Sequence, residues 1–173
     1  FTDAFRKKYP GLLKKDRTAP QALFKEKFGL FARALYFLLK GTVADVHKNI
    51  KVINKLTSPY EFIEHTTPQS KFLYKHFKKI DDEFQEHIKN AKKQATRSKL
   101  LIYEYRYKRW SFNTLLATQL SSMYPKKALI IVRREDGLMK MSLRAPDILN
   151  PLQRALEGVE GSGGGHIRSC GAT

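Results

Sequence analysis

Cysteine is almost missing from this chain. Cys170 is its single thiol, which excludes an internal disulfide and any zinc site built on paired cysteines. That poverty fits a reducing, cytoplasmic setting. Long apolar runs are missing too. The nearest, LFARALYFLL over 30–39, falls short of the ~18 residues a membrane span needs and carries Arg33. The amino-terminal FTDAFRKKYPGLLKKD is charged throughout, without the apolar stretch of a signal peptide. It opens on Phe1 rather than Met, which reads as a fragment. Acidic residues are scarce: 16 Asp and Glu stand against 33 Lys and Arg, a formal charge of +17 over 173 residues. Such an excess repels itself, and a polyanionic partner, nucleic acid first, is its natural explanation. An anionic membrane surface or a lysine-rich high-temperature source would also account for it.

What is present is enough for a packed core, with 42% hydrophobic and 12% aromatic residues. Residues 1–17 are basic and irregular, with a turn at Pro10-Gly11. Thr18-Ala-Pro-Gln21 has the form of a capping box. Phe24, Phe28, Phe31, Leu35 and Leu38 then recur at helical spacing, so one helix is expected up to Gly41. A shorter helix follows from Thr42, with Val43, Val46, Ile50 and Ile53 inward. Ser58-Pro59-Tyr60-Glu61 reads as another capping box. Thr67-Pro68 opens the longest element, about thirty residues, with Leu73, Phe77, Ile80, Phe84, Ile88, Ala91 and Ala95 on one face and charge elsewhere. A helix joining two compact bodies is the preferred reading, a coiled-coil dimer the other.

The pattern changes after Ser98. LLIYEYRYK over 100–108 reads as a strand, 111–124 as a helix ended by Pro125, and ALIIVRR over 128–134 as a central strand. Asp136-Gly137 is a two-residue hairpin turn. LMKMSLR over 138–144 alternates, with Met139, Met141 and Leu143 inward. Asn150-Pro151 caps a short helix. The expected fold class is α+β: a helical region over 1–66, a long connector helix over 67–98, and a small mixed-sheet domain with flanking helices over 99–173.

Residues 161–166, GSGGGH, admit a plain reading as a linker with the start of a histidine tag. The chemical reading is a loop. Glycines accept positive φ and turn backbone N–H groups toward an anion without a Cβ in the way. His166 would donate to a phosphate oxygen and Arg168 would add a charge-assisted bond. Tyr103, Tyr105, Tyr107 and Trp110 interleave with Arg106, Lys108 and Arg109. Arg106, Arg109 and Trp110 are candidate nucleic-acid contacts, while the tyrosines are better read as sheet packing. The basic runs Arg6-Lys7-Lys8, Lys14-Lys15, Lys78-Lys79 and Lys92-Lys93 are singly solvated faces, some of which should line a phosphate track. Cys170 lacks a nearby base and reads as packing rather than as a nucleophile.

The block from LMKMSLRAPD through NPLQRALEGVEGSGGGHIRSCGA resembles the DHH-associated substrate-binding domain of the DHH phosphoesterase superfamily. That superfamily includes RecJ-type single-strand exonucleases. The features that carry the resemblance are Ser142-Leu143-Arg144 at a strand end, a short helix from Pro151, Gly163-Gly164-Gly165-His166, and small residues up to Gly171-Ala172. Residues 18–98 are similar to the helical tail and connector of archaeal RecJ-like proteins.

The resemblance implies the substrate-binding part of a metal-dependent exonuclease acting on single-stranded DNA or RNA, of the kind used in DNA repair and replication. Gly163, Gly164, Gly165 and His166 would contact the phosphate or terminal nucleotide, Arg144 the backbone, and Arg168, in the variable part of the motif, would assist. Manganese or magnesium ions of the parent enzyme would sit on Asp and His ligands outside this chain. Here no Asp-His-His triplet occurs, and His47, His65, His76, His87 and His166 lack metal-ligand spacing. The chain alone is therefore expected to be inactive and its substrate-binding domain truncated. Single-stranded nucleic acid is the expected partner, with replisome proteins second and no membrane. The alternative is a non-catalytic RecJ-like scaffold of an archaeal replisome, binding nucleic acid and helicase partners. An alanyl-tRNA-synthetase-like tail shares the glycines but not the histidine that follows them.

Overall fold

The computed structural model describes residues 2–173. Among them are eight α-helices and one five-stranded mixed sheet, an α+β fold. Contacts divide the chain into two compact units, the first ending at Glu83 and the second spanning Phe84–Thr173.

The first unit begins with α1 (Thr2–Lys8), α2 (Ala19–Lys25) and α3 (Lys27–Leu38). The Thr18 box forms as expected, with both reciprocal bonds to Gln21. The single helix expected over 18–41 is instead broken at Glu26, whose backbone is extended at φ −110° and ψ 159°. Arg17 Nε holds the Glu26 carboxylate at 2.7 Å, and the Phe28 N–H goes to the Leu12 carbonyl at 2.8 Å. Gly29 lies so close to α2 that a Cβ there would fall 2.0 Å from the Leu23 carbonyl oxygen. The turn between the helices is thus fixed by a close backbone approach that only glycine permits.

Helix α4 (Val43–Ile53) starts on a Thr42–Asp45 capping box. Its expected inward face holds only in part: Val46 and Ile53 are half-buried, but Val43 is 73% exposed and the fully buried residue is Asn49. The Asn49 amide donates to the Leu38 carbonyl at 2.8 Å, satisfying an end carbonyl of α3. In α5 (Pro59–Glu64), Ser58 caps the Tyr60 N–H, while Glu61 accepts from the Thr57 amide instead of closing a box. Phe37, Phe62 and Phe77 form the centre of this unit. Phe37 stacks on Phe77 at 6.1 Å, and Phe62 meets Phe77 edge-on at 5.7 Å. Such pairs add ~0.5–1.5 kcal/mol beyond area burial.

Helix α6 (Pro68–Gln94) is the longest element. Leu73, Phe77, Ile80, Phe84, Ile88 and Ala91, all spaced for one face, are each no more than 6% exposed.

The second unit holds the sheet, in the order β1-β2-β3-β5-β4. Strand β1 (Leu100–Arg106) runs parallel to β2 (Ala128–Glu135), with α7 (Asn113–Met123) as the crossover. Strand β3 (Leu138–Arg144) returns antiparallel through Asp136 and Gly137, both at positive φ, as a type I′ turn requires. Helix α8 (Leu149–Ala155) follows, then β4 (Gly163–His166) and β5 (Ser169–Ala172). Asn150 and Pro151 lie inside the first turn of α8. Ile148, without a side-chain cap bond, is the N-cap, so the helix starts earlier than expected.

The inward alternation expected for β3 holds only at one end. Leu143 joins Ile148, Leu152, Cys170 and Ala172 in a cluster under α8. Ser142, on the opposite face, is also buried, whereas Met139 is 45% exposed. The sheet is covered on both faces near Leu143, by α8 on one side and α7 on the other, and on neither at the hairpin end of β3.

Candidate functional site

The glycine run is a strand, not the loop expected from composition. β4 pairs antiparallel with β5 at the sheet edge, through the turn Ile167-Arg168. Reciprocal bonds between Ser162 and Thr173, at 2.9 and 2.8 Å, close the open end of this hairpin. One of its glycines is required by packing and a second is tightly enclosed. A Cβ on Gly165, at φ 145°, would lie 2.4 Å from the Ser169 carbonyl oxygen. One on Gly163 would lie 3.0 Å from Ala172 Cβ, the Gly171 carbonyl oxygen and Leu156 Cδ1. Gly164 differs: nothing stands within 4 Å of the place its Cβ would take. His166 is exposed, and its carbonyl accepts from the Cys170 thiol at 3.3 Å. That bond and its burial make Cys170 a packing residue.

Register places the other expected residues. Leu129, Arg144, Ser169 and His166 form one row across β2, β3, β5 and β4. Arg144 and His166 therefore stand two strand spacings apart, about 10 Å, on one face of the sheet. Beside them, at the carboxyl end of α7, opens a groove of about 310 Å³. Arg144, Arg168 and Lys127 line it, with Ser121 and Tyr124 from the α7 end, and no acidic side chain does. Arg144 is half-buried, and its Nη1 donates to the Leu143 carbonyl at 2.8 Å. Burial draws its pKa below the ordinary guanidinium value, opposed by the neighbouring Cys170. Among the described residues neither Arg144 nor Arg168 has an ion-pair partner. A partly desolvated guanidinium without a counter-charge favours an incoming anion.

The second set of expected contacts lies at the other end of the sheet. Arg106 closes β1, six residues and about 20 Å from the Leu100 end. It lines a separate hollow of about 330 Å³ with Arg134, Glu135 and Asp136. Here carboxylates line the hollow, and three of the cations around it are paired, though among the described residues Arg106 is not. Arg134 is paired with Glu104, Arg133 with Glu135 at 2.6 Å, and Lys140 with Glu135 at 2.8 Å. The Arg134 hydrogen bond holds the Glu104 carboxyl below its usual range, and the Lys140 bond does the same for Glu135. Arg109 lies over the Trp110 ring at 5.3 Å. Trp110 itself is only 8% exposed, so it offers a base no open face. Tyr103 and Tyr105 are buried in sheet packing, with their rings stacked at 6.3 Å. The structure thus puts Arg144 and Arg168 on one groove, with His166 in the same row of the sheet but not lining it, and leaves Arg106, Arg109 and Trp110 apart from them.

Lys127 is the groove residue that sequence reasoning missed. Its Nζ donates to the Thr96 carbonyl at 2.8 Å and to the Ser98 carbonyl. The signal was available: Lys126-Lys127 precedes the central strand, and an antiparallel hairpin puts the start of β2 beside the end of β3, where Arg144 sits.

Among the described residues no group of three or more His, Cys, Asp or Glu side chains could hold a metal ion. The Asp and His ligand set implied by the DHH resemblance is therefore not met by these residues, and no chemical step is assigned to them. No helix is long and apolar enough to cross a membrane, among the described residues.

No protein-family model matches the chain, and no curated protein matches it by sequence. Among solved structures it is similar to RecJ in complex with Mn2+ from Thermus thermophilus, with a TM-score of 0.54 and 11% identity. The match covers 87% of this chain and 21% of that one, so the chain spans about a fifth of its structural relative. Over most of its length the chain has a RecJ-like fold.

Proposed function

We propose that this chain is the substrate-binding part of a RecJ-like, metal-dependent phosphodiesterase acting on single-stranded DNA or RNA. In this reading residues 99–173 are the substrate-binding domain, 67–98 the connector and 1–66 the tail of a catalytic domain. Metal ions of the manganese type are held by residues outside this chain. One observation carries the reading: Lys127, Arg144 and Arg168 converge on a groove without a single carboxylate, while at the opposite end of the sheet Arg133, Arg134 and Lys140 are paired with Glu104 and Glu135. A half-buried cationic groove is selective for anions. The register that sets His166 on the same face as Arg144 adds a donor for a phosphate oxygen.

The role of these residues is binding and orientation. The Arg144 guanidinium, fixed by the Leu143 carbonyl, is preorganised to clamp a phosphate. Arg168, in a two-residue turn, adds charge from the far wall. The test is fluorescence anisotropy with a labelled oligodeoxythymidylate. The chain should bind it at low salt without hydrolysing it, and R144Q with R168Q should weaken binding at least about tenfold, the scale of a lost charge-assisted contact. Equal affinity of variant and parent would remove the groove from the reading.

A further inference from the structure

The loops at the groove end of the sheet carry Arg97, Lys99, Lys127, Arg144 and Arg168. No ion pair involves any of them among the described residues. Asp147, the carboxylate of the same loops, faces the Asn150 amide at 3.4 Å. The cations follow the order of the strands. Lys99 precedes β1, and its carbonyl accepts from the Ala128 N–H at 2.8 Å. Lys127 precedes β2, Arg144 ends β3, and Arg168 precedes β5. From β1 to β5 is three strand spacings, or about 14 Å. That is longer than the reach of one phosphate group.

Lys127 links the groove to the 95–99 loop. An ammonium has three donors, and two are used on the Thr96 and Ser98 carbonyls. These bonds hold the loop against the groove with Arg97 and Lys99 exposed on it. Resting on the single-strand reading above, we propose that the bound strand continues out of the groove over this loop. Arg97 and Lys99 hold phosphates beyond those gripped by Arg144 and Arg168. The site therefore takes a run of several nucleotides along the sheet end rather than a terminal nucleotide alone, and Lys127 is the positioning residue that fixes the loop.

The experiment uses the full chain with EDTA present and two probes, a labelled dithymidylate and a labelled twelve-nucleotide oligodeoxythymidylate, titrated across salt concentrations. R97Q/K99Q should leave the dinucleotide affinity unchanged and weaken the longer strand about tenfold. The slope of log affinity against log salt for the longer strand should shrink by about 1.4, two phosphates at ~0.7 each. K127M, which removes a groove cation as well as the loop's anchor, should weaken both probes, the longer strand more. Arg97 and Lys99 are exposed, and an unchanged thermal midpoint of R97Q/K99Q verifies the fold. An unaltered slope and affinity for the longer strand would overturn the extended track while the groove reading stands. Failure of the parent chain to bind either probe at low salt would overturn both.

Discussion

Tyr105 and Asn113 meet across the step from β1 to α7, where the tyrosine hydroxyl donates to Asn113 Oδ1 at 2.8 Å. The same hydroxyl accepts from the Phe112 N–H at 2.9 Å, and Asn113 Nδ2 donates to the Lys140 carbonyl at 2.7 Å. Two strands, β1 and β3, and the start of α7 are tied through two buried side chains. Removing either leaves donors or acceptors without partners inside the unit, at a cost of ~1–3 kcal/mol. Y105F and N113A should each destabilise the sheet unit by that amount, and the double variant by less than their sum. Urea unfolding followed by Trp110, the only tryptophan, reports on this unit directly. Additive losses would mean that the two side chains act independently.

His87 Nδ1 lies 2.8 Å from the Tyr103 hydroxyl, and its ring packs on Tyr105 at 4.6 Å and Phe112 at 5.6 Å. Burial lowers the His87 pKa, with Glu86 opposing and Lys108 adding to the shift. Burial also pushes Tyr103 up to about 12, and its hydroxyl shares a hydrogen bond with the His87 ring. The sign follows by linkage. The unfolded chain takes up a proton near pH ~6.5 that the fold resists, so stability is full above that pH and falls as pH drops through it. His76, lowered by burial and by Lys48, contributes in the same direction in the first unit. H87Q should flatten the loss of stability of the sheet unit between about pH 7 and 5, read again at Trp110. An unchanged pH slope would show that His87 is not the group responsible.

Legibility in the sequence followed the range of the interactions. The Thr18 box and the buried face of α6 were readable because both are set within a few residues. The break at Glu26 was not. Phe24, Phe28 and Phe31 keep helical spacing across it, and the turn depends on Leu12 and Leu23 meeting Phe28 and Gly29. The Asn49 amide reads as solvent-facing in the sequence until the orphan Leu38 carbonyl is placed beside it. The four residues of β4, three of them glycine, have no strand propensity of their own. Pairing with β5 makes them a strand. At the candidate site Arg144, Arg168 and His166 were legible from their order along the chain. Lys127 entered only through the antiparallel pairing of β2 and β3.

The three glycines of β4 separate structural need from binding. G165A forces a side chain into a left-handed backbone and onto the Ser169 carbonyl oxygen at 2.4 Å. The hairpin should open, with a loss of ~1–3 kcal/mol and of binding together. Gly164 has neither constraint: it has open space around its missing Cβ and no positive φ. G164A should therefore leave the unfolding midpoint within experimental scatter. If the bare edge of β4 is where a nucleotide's sugar–phosphate chain lies against the backbone, the added methyl stands between them. The affinity for a labelled oligonucleotide should then fall several-fold with stability intact. A G164A chain that binds as tightly as the parent would move the ligand off β4 and leave it on the Arg144–Arg168 groove and the loops beside it.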